Sequence, residues 1–101
     1  MAEPLTREQI DEHLKELPGW TTDGVSIERV YSIPHIAGAA FIVHIAAIQD
    51  RFGHHSNATL GYKTVRLSIS SSDLGGRVAE HDIELARRIE AISEAHGAVM
   101  A

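Results

Sequence analysis

The segment Pro34–Gly53, PHIAGAAFIVHIAAIQDRFG, decides how the chain is read. Proline is tolerated in a first helical turn and glycine suits a C-terminal cap, so the stretch between them predicts a long helix. Ile36, Ala39, Ala40, Phe41, Ile42, Val43, Ile45, Ala46, Ala47 and Ile48 make it apolar on more than one face. A helix of that kind is expected to be buried on more than one side, as a central helix with a subunit contact.

On its N-terminal side, Thr6 with Gln9 forms a capping-box pair, and Ile10, Leu14 and Leu17 follow at helical spacing before Pro18-Gly19 ends the run. Trp20–Thr22, the turn pair Asp23-Gly24, and the alternation Val25, Ile27, Arg29, Tyr31, Ile33 predict a hairpin of two strands with a two-residue connection. On the C-terminal side, Ala58–Tyr62 and Thr64–Ser70 read as two more strands, the second alternating Val65, Leu67, Ile69 with Arg66, Ser68, Ser70. Helical period returns from Val78 to about Ala95 through Ile83, Ala86, Ile89 and Ile92. The order α-β-β-α-β-β-α predicts an α+β fold, with three helices packed on one face of a four-stranded antiparallel sheet.

A chain of 101 residues has room for one domain, residues 1–101, and one core. So short a chain leaves much surface exposed, and oligomerisation is the expected way to bury more. Nine Lys and Arg against fourteen Asp and Glu, with no basic run, disfavour direct binding to nucleic acid or to an anionic membrane. The absence of cysteine removes disulfides and thiolate chemistry and is compatible with a reducing compartment. Met1–Thr6 lacks a basic region followed by an apolar stretch, and no segment has membrane-spanning length free of charge, so a cytoplasmic protein is expected.

Histidine, with seven copies, is the compositional outlier. His54 and His55 stand where the long helix stops and the sheet resumes, a place from which rigid elements can present a side chain to a cleft. Imidazole is suited to proton transfer near neutral pH, although two adjacent histidines also complement the negative end of a helix. Ser70-Ser71-Ser72-Asp73, ahead of Gly75-Gly76, offers hydroxyl and backbone donors to a small polar ligand or makes a solvated turn. His81-Asp82 lies in the first turn of the last helix, where a carboxylate can orient an imidazole across a cleft or complement the helix dipole. His54, His55, His81 and a carboxylate have no recognised zinc-ligand spacing, so no metal site is expected. His13, His35, His44 and His96 are read as surface or packing residues, and no phosphate loop or serine-nucleophile motif occurs.

Asp50-Arg51-Phe52-Gly53-His54-His55, then Tyr62, Val65, Ser70-Ser71-Ser72, Gly75-Gly76 and Asp82, resembles the signature of the pterin-4a-carbinolamine dehydratases. The likeness runs upstream through Leu17, Gly19-Trp20, Arg29, Phe41 and Ile45-Ala46, so it covers nearly the whole chain. It implies a cofactor-free hydro-lyase that dehydrates 4a-hydroxytetrahydropterin to quinonoid dihydropterin in tetrahydrobiopterin recycling, as a homodimer or homotetramer. His54 and His55 match the paired site histidines and Asp82 the supporting acid, while Ser56 and Ser71, Ser72, Asp73 and Leu74 match positions lining the pterin. In departure from the pattern, Ser72 stands for a third site histidine, Ser56 for a proline and Val78 for a helix-capping threonine. His81 is a hypothetical substitute for the missing imidazole. Some relatives serve instead as dimerisation cofactors or assembly factors, so a protein-binding role with impaired catalysis is the alternative.

Overall fold

The computed structural model describes residues 3–71 and 75–101. Helix α1 spans Arg7–Leu14, opened by the reciprocal Thr6–Gln9 capping box. It is shorter than its apolar spacing suggests: Leu17 is buried from the turn that follows, not from the helix. Strands β1 (Thr21–Thr22) and β2 (Ile27–Ser32) pair antiparallel, with Thr22 opposite Ile27. The connection is therefore four residues, Asp23–Ser26, where two were expected. Asp23 Oδ1 accepts the N–H groups of both Val25 and Ser26, a side-chain turn that holds Val25 out of the strand and 53% exposed.

Helix α2, His35–Phe52, is followed by strands β3 (Asn57–Leu60) and β4 (Thr64–Ile69), then by helix α3 (Glu80–Ser93), which runs into a 3₁₀ turn at Glu94–His96. A fifth strand, β5 (Val99–Met100), pairs with β2 opposite Tyr31 and Ser32. The sheet order is β1-β2-β4-β3, all antiparallel, with β5 on the edge of β2 that β1 also uses. Among the described residues the fold is thus the expected three helices on an antiparallel sheet, with five strands where four were read. Two residues of strand carry no period of their own, which is why β5 is invisible in sequence.

Strand alternation sends Ile27, Tyr31, Val65, Leu67 and Ile69 into one core with Ile10, Phe41, Ile45, Ile83, Leu85 and Ile89 from the helices. Within α2 only Gly38, Phe41 and Ile45 are fully buried, so the expected burial on several sides is not met within one chain. Ile36 and Val43 stand 80% and 70% exposed. Among the described residues no helix is long and apolar enough to cross a membrane.

Candidate active site

Gly53 ends α2 in the left-handed conformation, φ 77°, and its N–H bonds to Gln49 O at 2.8 Å. That reversal suits a residue without Cβ and turns the chain at once into His54-His55. The Gln49 side chain then holds the next segment, its Oε1 accepting both the backbone N–H (2.9 Å) and the hydroxyl of Ser56. The histidines therefore follow a well-anchored corner between α2 and β3.

Asp82 comes from the first turn of the last helix. It is the third helical residue of α3, and its carboxylate folds back to accept the Ala79 N–H at 2.7 Å, half of a capping box. Alanine has no side-chain oxygen to complete the reciprocal bond, and the Asp82 N–H bonds instead to the Ala79 carbonyl at 3.0 Å. Fully buried, Asp82 accepts a hydrogen bond from Ser71 Oγ at 2.7 Å through Oδ2 and one from His54 Nε2 through Oδ1. Every bond it makes is thus with a donor, as a buried carboxylate requires.

The sequence neighbours His54 and His55 part company here. His54 turns toward α3 and Asp82, whereas His55 is exposed and lines a recess of about 190 Å³ with Ser56, Asn57, Ser68 and Ser70. Ser68 and Asn57 face each other across β4 and β3, on the sheet face opposite Leu67 and Ile69. Ser56 borders that recess, but its hydroxyl is bonded to Gln49. Ser71, expected to line a ligand, is instead fully buried, its hydroxyl between Asp82 and His81. Ser72, Asp73 and Leu74 lie outside the described residues.

Sequence reasoning left His81 without a settled place and did not single out Gln49. In the structure the His81 ring packs edge-on against His54, centroids 4.3 Å apart, and its Nε2 lies 2.7 Å from Ser71 Oγ. Donor atoms of His54, His81 and Asp82 all fall within 4.8 Å of one another. In this arrangement the two carboxylate oxygens receive three N–H or O–H groups, from His54, Ser71 and Ala79. The other four histidines are engaged elsewhere: His13 with Glu80, His35 with Gly61 O, and His44 with His96.

Residues 3–92 match the family model described as Pterin 4 alpha carbinolamine dehydratase. The chain belongs to this family. It is 46% identical over 98 residues to a Streptomyces coelicolor protein named "Putative pterin-4-alpha-carbinolamine dehydratase", with 96% of this chain and 97% of that protein covered. A protein of the same name from Streptomyces avermitilis is 47% identical over 97 residues, covering 95% and 96%. Among solved structures, the "transcriptional coactivator/pterin dehydratase from Brucella Melitensis" superposes with a TM-score of 0.81 at 27% identity, over 89% of this chain and 98% of that one. Membership of the dehydratase family makes a lyase with a pterin substrate the frame in which the His54–Asp82 pair is read.

Proposed function

We propose that this family member is a hydro-lyase converting 4a-hydroxytetrahydropterin to quinonoid dihydropterin, by histidine acid/base chemistry and without a cofactor, in tetrahydrobiopterin recycling in the cytoplasm. The observation that carries the reading is the hydrogen bond between His54 and the buried Asp82. The reaction removes a proton from N5 and delivers one to the hydroxyl leaving C4a. A carboxylate that accepts from Nε2 holds the ring in one tautomer and one orientation, with Nδ1 left for the substrate. His54 is assigned one of the two proton transfers, which in such sites contributes typically about 10² to 10⁴-fold. Asp82 positions it. His55, lining the neighbouring recess with Ser56, is assigned to contact with the pterin, and Ser72, Asp73 and Leu74 keep their assignment as lining residues.

The test is decay of the 4a-hydroxy compound, generated in situ, with and without the purified protein. Acceleration is expected, and His54→Ala should lower kcat by about 10²-fold or more. A wild-type rate equal to the spontaneous one would remove the proposal. The alternative, a protein-binding or dimerisation factor with impaired catalysis, draws support from the coactivator named in the Brucella protein and from the apolar side chains exposed on α2. It predicts a stable complex with a second protein that His54→Ala leaves intact, together with negligible turnover.

A further inference from the structure

His81 packs against His54, and the one proton transfer assigned above leaves it without a role. Hydrogen accounting defines what it offers. Asp82 as a carboxylate can only accept, and Ser71 has a single hydroxyl hydrogen, which the 2.7 Å contact directs to Asp82 Oδ2. The second 2.7 Å contact of Ser71 Oγ must then run the other way, with His81 Nε2–H donating to the hydroxyl oxygen. His54 also donates from Nε2, directly to Oδ1. One buried carboxylate therefore sets the tautomer of two imidazoles, His54 in direct contact and His81 through Ser71. In each ring Nδ1 is the nitrogen not spent on this network, and the rings lie 4.3 Å apart at 76°.

We infer that His81 is the second acid/base residue of the site, with Ser71 relaying its orientation from Asp82. This rests on the dehydratase reading and supplies the transfer that reading leaves open. One imidazole takes the N5 proton, and the N5–H electron pair becomes the second bond of C4a=N5. The C4a–O bond breaks with its pair on oxygen, and the other imidazole protonates that oxygen so that water leaves. The protein ends with one proton moved from one ring to the other, and exchange with solvent restores the start. No oxidant or cofactor enters the balance.

Full-length wild type, His81→Gln and Ser71→Ala are compared for kcat and KM, and their histidine ring nitrogens by ¹⁵N NMR. Glutamine retains an N–H for Ser71 but cannot exchange protons, so kcat should fall about 10² to 10⁴-fold while KM stays within about threefold. The His54 ring signals should persist in His81→Gln, which shows the site still folded. Ser71→Ala should release His81 from its Nε2–H tautomer and lower kcat, and Ser71→Thr should restore both. A kcat in His81→Gln within about threefold of an active wild type overturns the inference alone. So does an Nδ1–H tautomer of His81 in the wild type. A wild type that does not accelerate the reaction removes the dehydratase reading, and the assignment with it.

Discussion

Glu90 shows how one side chain joins distant parts of this protein. Its Oε1 accepts from Trp20 Nε1 at 3.0 Å, from Arg29 Nε at 3.5 Å and from the Tyr31 hydroxyl, while the Arg29 guanidinium lies 4.2 Å from the centre of the Tyr31 ring. Arg29 occupies an inward strand position and is 5% exposed, so removing its partner would strand a buried charge. Burial pushes the Glu90 carboxyl up, but hydrogen bonds from Tyr31 and Trp20 and the Arg29 charge outweigh it and hold the group below its ordinary value of 4.5. Burial, and then the bond to Glu90, push the Tyr31 hydroxyl above its usual range. Because the folded-state value of Glu90 is depressed, its stabilisation is fully present above about 4.5 and is lost as pH falls through the lower folded value. Glu90→Gln should cost roughly 1–3 kcal/mol at neutral pH, and the gap to wild type should shrink on acidification below about pH 4.5. Urea unfolding of both proteins across that range checks it, and a gap independent of pH would contradict it.

At the scale of elements, the seat of α2 on the sheet depends on Gly38. This residue is buried in the first turns of the helix, and a methyl group there would lie 3.0 Å from Leu60 Cδ1, 3.2 Å from Val65 Cγ2 and 3.3 Å from Ile33 Cγ2. The absent side chain lets the helix approach β3 and β4, and so helps place the corner that carries His54. Gly38→Val should destabilise by about 1–3 kcal/mol through overpacking. Gly38→Ala should cost less, since alanine regains up to about 1 kcal/mol of helix propensity. Denaturation midpoints of the two variants test the order, and a valine variant as stable as wild type would show that the contact is not tight. The helix itself was legible in sequence down to its Gly53 stop, because capping and period are local. Its one-sided burial was not, since that depends on what the sheet and α3 leave uncovered.

For the molecule as a whole, the apolar side chains left outside are the outstanding feature of α2. Ile36, Ala40, Val43 and Ala47 recur at helical spacing and are all exposed, Ile36 and Val43 most of all. A stripe of this kind on a small chain is suited to association, and the protein is expected to form homodimers or homotetramers through it. Replacing Ile36 and Val43 by glutamate should shift the mass in solution to that of one chain. Stability of the single chain should change by no more than about 0.5 kcal/mol per site, because neither side chain is part of the core. Light scattering coupled to size exclusion decides the matter. An unchanged mass for the double variant, or a monomeric wild type, would exclude this surface.

What the sequence determined by itself is whatever rests on contacts a few residues apart. The Thr6–Gln9 cap, the Gly53 stop, the inward Val65, Leu67 and Ile69, and the first-turn place of Asp82 all follow from local bonding and period. The family likeness named His54, His55 and Asp82, but not how they lie. Tertiary structure decided that His54 alone of the pair meets Asp82, that Ser71 is an inner support, and that His81 joins the network. It also decided the four-residue turn at Asp23, the fifth strand and the pairing of Arg29 with Glu90. The reason is common to them all: most of these contacts join residues far apart in the chain, and their geometry is set by how helices seat on the sheet, which no local pattern encodes.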